Sequence, residues 1–96
     1  MIKEKNISIL ISTYNKCKFI KKTIRSCLNQ KYSNYEIIIV DTQSTDGTDK
    51  IINYFSHFKR ISFFKIKRKY KNSPLNQIEA IKYGLSKSKG EIICLL

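Results

Sequence analysis

Apolar and polar positions follow two rhythms along this chain, and the rhythms take turns. Ile7-Ser8-Ile9-Leu10-Ile11-Ser12 is a short apolar run that predicts a first strand. After the polar loop Thr13-Tyr14-Asn15, the residues Phe19, Ile20, Thr23, Ile24, Cys27 and Leu28 recur at helical spacing, with Lys18, Lys21, Lys22 and Arg25 between them. That spacing predicts an amphipathic helix from about Lys16 to Gln30, with Asn15 as its cap. A turn-rich stretch, Lys31 to Tyr35, leads to a second strand over Glu36 to Val40.

The second strand is apolar without alternation, Ile37-Ile38-Ile39-Val40, and it stops at the carboxylate of Asp41. A buried parallel strand reads this way, because helices cover both of its faces. Ser44, Thr45 and Asp46 all suit a helix start. Thr48, Ile51, Ile52, Phe55 and Phe58 then mark the inner face of a second helix, with His57 late in it. Ile61 to Ile66 predicts a third strand near a sheet edge, followed by a charged loop to Asn72.

Ser73-Pro74 opens a third helix, with serine as cap and proline in the first turn. Its predicted apolar stripe is Leu75, Ile78, Ile81 and Leu85. Gly84 inside that helix costs about 1 kcal/mol relative to alanine, and close packing accounts for keeping it. Gly90 ends the helical region, and Glu91 to Leu96 predicts a fourth strand. The order β-α-β-α-β-α-β over residues 1–96 defines one α/β domain with a mostly parallel four-stranded sheet and right-handed crossovers.

Composition adds three bounds. The hydrophobic fraction of 42% argues for a globular core rather than disorder. No apolar run approaches the roughly 18–20 residues of a membrane span, and the N-terminus lacks a signal-peptide pattern. The formal charge of +12 comes from 16 lysines and only 3 arginines. A phosphate- or base-reading surface favours arginine, whose planar fork fits those groups, so the lysines read as solvated faces and nucleic acid is disfavoured as a partner. The run Lys65, Lys67, Arg68, Lys69, Lys71 reads as solvated in the same way, with attraction to a phosphate-rich donor or an anionic membrane as its minor reading. Cys17, Cys27 and Cys94 have neither CxxC spacing nor a nearby histidine partner, so they read as reduced thiols, with Cys27 and Cys94 in the core. The expected setting is cytoplasmic, with a membrane surface as an option.

The carboxyl ends of strands are where open α/β sheets place ligands. The turn after the first strand has no glycine, and the chain has neither GxGxxG nor GxxxxGK[ST]. Dinucleotide and P-loop sites built from backbone amides are therefore excluded. What remains is a site of side chains: an acid at a strand end, an aromatic to lie on a base, and small hydroxyls.

These residues match a family. Ile9 to Asn15, with its Thr13-Tyr14-Asn15 loop, is one matching segment, and Thr23 to Gln30 followed by Tyr32 is another. Ile37 to Asp41 with Ser44 to Thr48, and Gln77 to Gly84 with Lys89 to Ile93, complete the set. Together they resemble the N-terminal, Rossmann-like nucleotide-binding half of GT-A-fold glycosyltransferases of family 2. The resemblance implies a nucleotide-diphospho-sugar donor, UDP- or GDP-linked, with Ser12, Thr13, Tyr14, Asp41, Ser44, Asp46 and Gln77 at its binding site. Asp41 takes the base-contacting position, Tyr14 lies near the base, and Asn76 neighbours the sugar-facing segment.

The resemblance also implies a divalent metal, Mg²⁺ or Mn²⁺, held by an Asp-x-Asp motif that follows the fourth strand. No such motif occurs before Leu96, and the family's catalytic carboxylate belongs to a later region, so no catalytic and no metal-ligating residue is assigned here. The expectation is a truncated transferase, inactive by itself, with an unpaired apolar edge at Ile92 to Leu96. The alternatives are a non-catalytic nucleotide-binding module, a half completed by a second chain, or a basic nucleic-acid-binding protein.

Overall fold

The computed structural model describes residues 5–96. Its elements are β1 (Ile7–Thr13), α1 (Ile20–Leu28), β2 (Tyr35–Asp41), α2 (Thr48–Phe55), β3 (Ile61–Lys65), α3 (Leu75–Lys87) and β4 (Ile92–Leu95). The sheet order is β3-β2-β1-β4 and every pairing is parallel. The predicted alternation and the edge position of the third strand are both found.

The strand order explains where the helices go. From β1 to β2 to β3 the chain steps one way across the sheet, so right-handed crossovers put α1 and α2 on one face. The step from β3 to β4 runs back past β2 and β1, so α3 crosses on the other face. The Ile-rich strands serve both sides with period two. Ile9, Ile11, Ile37 and Ile39 pack with Ile20, Ile24, Cys27, Ile52 and Phe55. Leu10, Ile38 and Val40 pack with Ala80 of α3.

Several expectations are corrected. Residues 16–19 make a separate turn before α1, closed by Lys16 O accepting from the amides of Phe19 and Ile20. Asn15 does not cap α1, because its backbone is left-handed at φ 50° and its side chain serves another loop. Gly47 at φ 94° takes the N-cap position of α2. His57 lies in the turn beyond α2, its ring 4.5 Å from that of Phe58.

The inner face of α3 is not the predicted stripe. Asn76, Ala80 and Gly84 are buried, while Leu75, Ile78 and Leu85 are exposed and Ile81 is half-buried. The helix lies too close to β1 for large side chains: a Cβ at Gly84 would stand 2.0 Å from Leu10 Cδ1. Close packing therefore does account for Gly84. Ser73 assists the start of α3, its hydroxyl accepting from Leu75 N at 3.2 Å.

Cys94 is exposed rather than core, because β4 is an edge strand without a helix over it. Cys27 is buried as expected. Ile92, Leu95 and Leu96 are all exposed, which is the apolar open edge anticipated from the sequence. Helix α3 ends at Lys87, so Gly90 does not cap it; Gly90 instead lets the chain pass against the backbone of β1.

Candidate functional site

Strands β1 and β2 end side by side, with Thr13 in register with Asp41. Two loops spring from these ends and are zipped together by side chains. Asn15 N donates to Ser44 Oγ at 2.8 Å, and Thr45 N donates to Asn15 Oδ1 at 2.7 Å. Lys16 N donates to Thr48 Oγ1 at 2.9 Å, and Cys17 N to Asp46 Oδ2 at 3.2 Å. Asp41 is buried, and its two oxygens accept from Ser44 N at 2.9 Å and Ser44 Oγ at 2.5 Å. It holds the tip of its own loop, as asparagine and aspartate do in turns.

Asp46 accepts from both the amide and the hydroxyl of Thr48. The Thr48 hydroxyl is the main reason its carboxyl falls from the ordinary 3.8 to about 2. The same carboxylate pushes the Cys17 thiol up, which keeps it protonated and unreactive. A carboxyl whose folded value is depressed stabilises the fold above its ordinary value. The contribution is lost as pH falls from 3.8 through about 2. Amide NMR of Cys17 and Thr48 is expected to report loop opening with a midpoint near pH 2. A midpoint at 3.8 or above would count against this lock.

A cavity of about 460 Å³ opens beside these loops, between the carboxyl ends of β1 and β2 and the start of α3. Ser12, Thr13, Tyr14 and Gln77 line it, together with Lys16, Thr42, Arg68, Asn72, Ser73, Pro74, Asn76 and Ala80. Asp41, Ser44 and Asp46 lie in the adjoining loop network and do not line the cavity; Thr42 takes the lining position next to Asp41.

Arg68, assigned to solvent in the sequence reading, is instead a wall of this cavity. Its guanidinium stacks on the Tyr14 ring at 3.6 Å. Its Nη1 donates to Thr42 Oγ1 at 3.1 Å, and its backbone N donates to Gln43 Oε1 at 2.9 Å. An arginine on an aromatic face gains both cation–π attraction and stacking. The sequence signal for it was slight: one arginine inside a run of lysines. Asn76 was expected to face a ligand region. It is buried, and its amide fastens residues 69–73 by accepting from Lys69 N and Tyr70 N, both at 3.0 Å, and donating to Tyr70 O and Ser73 O.

Two features give the cavity its chemistry. Its lining carries two cations, Lys16 and Arg68, and no carboxylate. The Tyr14 ring beneath the Arg68 guanidinium adds a flat aromatic wall. Thr13 Oγ1 is buried without a hydrogen-bond partner, but Thr13 alternates with Ile9 and Ile11 toward the α1–α2 side of the sheet, so this hydroxyl is not offered to the cavity. A divalent ion does not suit these residues. Among the described residues no three His, Cys, Asp or Glu side chains converge, and the cations lining the cavity would repel it.

A parallel sheet of order 3-2-1-4 with a side-chain-lined, cationic cavity at its strand ends is an α/β domain whose cleft lies where such sheets take ligands. Comparison with known proteins makes this particular. The model of the glycosyl transferase family 2 matches residues 8–96, and the chain belongs to that family. It is 38% identical over 93 residues to an uncharacterized glycosyltransferase of Haemophilus influenzae, covering 94% of this chain and 34% of that protein. It is 36% identical over 91 residues to the dolichyl N-acetyl-alpha-D-glucosaminyl phosphate 3-beta-D-2,3-diacetamido-2,3-dideoxy-beta-D-glucuronosyltransferase of Methanococcus voltae, covering 93% of this chain and 27% of that enzyme. The chain thus spans about a third or less of the length of these relatives.

Solved structures carry the same fold. S. aureus TarS 1-349 superposes with a TM-score of 0.81 at 22% identity, over 95% of this chain and 26% of that one. The mannosyltransferase PcManGT of Pyrobaculum calidifontis, solved with GDP-Man and Mn2+, gives 0.78 at 22% identity with the same coverage. These neighbours establish the expected Rossmann-like GT-A architecture for the sheet and its helices.

Proposed function

We propose that this domain binds the nucleotide-diphospho-sugar donor of a glycosyl transfer reaction. The observation that carries the reading is the cavity at the strand ends, whose charged lining groups are Lys16 and Arg68 and whose wall is the Arg68–Tyr14 stack. A nucleotide diphosphate offers a flat base to the stack and negative charge to the cations. Ser12, Tyr14 and Gln77 line the same space and would contact the donor. Asp41, Ser44 and Asp46 would act one step back, by fixing the loop that carries Thr42. The donors bound by relatives of this fold, GDP-Man and UDP-GlcNAc, make guanine and uracil nucleotides the ones to try.

The cavity lining contains no carboxylate to serve as general base, so these residues would hold the donor rather than turn it over. One structural neighbour is solved with Mn2+. Here no acidic donor set lines the cavity, and nucleotide binding by this chain is expected to proceed without a divalent ion. The three cysteines are free thiols, in keeping with a cytoplasmic setting. Among the described residues no helix is long and apolar enough to cross a membrane.

The test is calorimetric titration with UDP- and GDP-sugars. Arg68→Gln removes the guanidinium that stacks on Tyr14 and donates to Thr42. It is expected to weaken nucleotide binding about tenfold. EDTA is expected to leave the affinity unchanged. Equal affinities for Arg68→Gln and wild type would sink the reading.

A further inference from the structure

The side of the sheet away from the cavity carries a second charged feature. Residues 18–31 hold five cations, Lys18, Lys21, Lys22, Arg25 and Lys31, and no carboxylate. Lys18, Lys21, Lys22 and Arg25 are exposed and have no ion-pair partner among the described residues. The nearest acids in sequence on this side are engaged elsewhere, Asp46 with Thr48 and Asp49 with Lys65 at 3.4 Å. The amphipathic pattern of α1 buries Ile20, Ile24 and Cys27 against the sheet, so all this charge faces outward.

Large aromatics stand in the same surface. Phe19, between Lys18 and the first turn of α1, is 65% exposed, and Tyr54 of α2 is 69% exposed. Two shallow grooves cross the same surface. One runs along Lys18, Lys21, Lys22, Arg25, Ser26 and Asn29; the other takes in Arg25 and Asn29 again and reaches Tyr54 and Phe58. Arg25 and Asn29 belong to both, so the basic helix face and the aromatic patch are continuous.

We propose that this α1–α2 surface docks the protein onto an anionic lipid bilayer. The cations would sit at the lipid phosphates, and Phe19 and Tyr54 would enter the interfacial layer. The charge pattern matches a negatively charged surface that is broad and unstructured. Three of the four exposed cations on this surface, Lys18, Lys21 and Lys22, are lysines, which act as point charges and do not read base edges. Half-exposed aromatic rings beside lysines are the composition of interfacial helices. The surface lies on the opposite face of the sheet from α3 and the cavity, so docking leaves the cavity open. The inference does not rest on the nucleotide reading.

Vesicle co-sedimentation tests it. The protein is expected to ignore phosphatidylcholine vesicles and to bind those in which roughly one lipid in three is phosphatidylglycerol. Each cation at such a surface contributes about a factor of five to the partition constant. The triple change Lys21→Gln, Lys22→Gln, Arg25→Gln should therefore lower partitioning about a hundredfold. The equally charged control Lys67→Gln, Lys69→Gln, Lys71→Gln, on the loop before α3, should lower it by less than about fivefold. Circular dichroism checks that the triple variant is folded; should it not be, Lys22→Glu on an exposed side chain carries the test, with a loss of about twentyfold. Phe19→Ser should weaken binding by an amount that added salt does not change. Equal losses in the two triple variants would overturn the proposal, as would absence of binding to the anionic vesicles. Salt-sensitive RNA binding that the α1 variant abolishes, without vesicle binding, would instead assign the surface to nucleic acid and overturn it.

Discussion

Replacing Gly90 with alanine is expected to lower the unfolding free energy by about 3 kcal/mol, well above the typical point substitution. A Cβ there would lie 2.5 Å from Ser8 N, 2.5 Å from Ser8 Oγ and 2.9 Å from the carbonyl carbon of Ile7. Two of these atoms are backbone of β1, the central strand paired to both β2 and β4, and they have nowhere to go. The close approach also carries a hydrogen-bond chain. Gly90 N donates to Ser8 Oγ at 2.8 Å, Ser8 Oγ donates to Glu36 Oε2 at 2.6 Å, and Lys89 N donates to the same carboxylate oxygen at 2.6 Å. Glu91 N and Ile92 N then donate to Asn6 O and start the pairing of β4. Alanine would push the chain off β1 just where that pairing begins. Urea denaturation measures the loss, and amide exchange at residues 92–95 should rise with it. Gly84→Ala provides the contrast. Its Cβ would meet the end of the Leu10 side chain, which can rotate, and alanine is the better helix former, so a loss of about 1 kcal/mol is expected. If Gly90→Ala proves no worse than Gly84→Ala, the backbone-contact argument fails.

Asn76→Ala is expected to cost about 2 kcal/mol and to weaken nucleotide binding at least tenfold. The side chain is buried, and its amide satisfies the backbone of Lys69, Tyr70 and Ser73 at once. Alanine leaves those groups without partners and frees the segment that brings Asn72, Ser73 and Pro74 to the cavity. Asn76→Asp separates the two halves of the role. It keeps the acceptors for Lys69 N and Tyr70 N but turns the donor toward Tyr70 O into a second acceptor, so it should restore only part of the stability. Hydrogen exchange at Lys69 and Tyr70 is the direct readout, and unchanged protection in Asn76→Ala would refute the stapling role.

The candidate site was legible where short-range pattern suffices. Ser12, Thr13 and Tyr14 end the first apolar run, and strand ends are where such sheets expose side chains. Gln77 sits one turn into a helix whose Ser73-Pro74 start is plain in the sequence. Arg68 and Thr42 were not legible. Their roles depend on the stack of Arg68 on Tyr14 and on a hydrogen bond between Arg68 and Thr42, 26 residues apart, and a run of lysines hides the single arginine. Asp41 was found as a strand-end acid, but whether its oxygens face the cavity or its own loop depends on the turn at Gln43, whose backbone is left-handed at φ 57°.

By itself the sequence determined the element order, the parallel sheet and the end of the sheet where the cavity opens, because hydrophobic period and turn chemistry act over a few residues. It also determined Asp41 as the last residue of the second apolar run. Tertiary structure decided which face of α3 is buried, because only the closeness of β1 makes Ala80 and Gly84 preferable to Leu75 and Ile78. It likewise decided that Asp41 locks its loop while Thr42 and Arg68 line the cavity. Those outcomes arise from contacts between distant segments, and no local pattern records them.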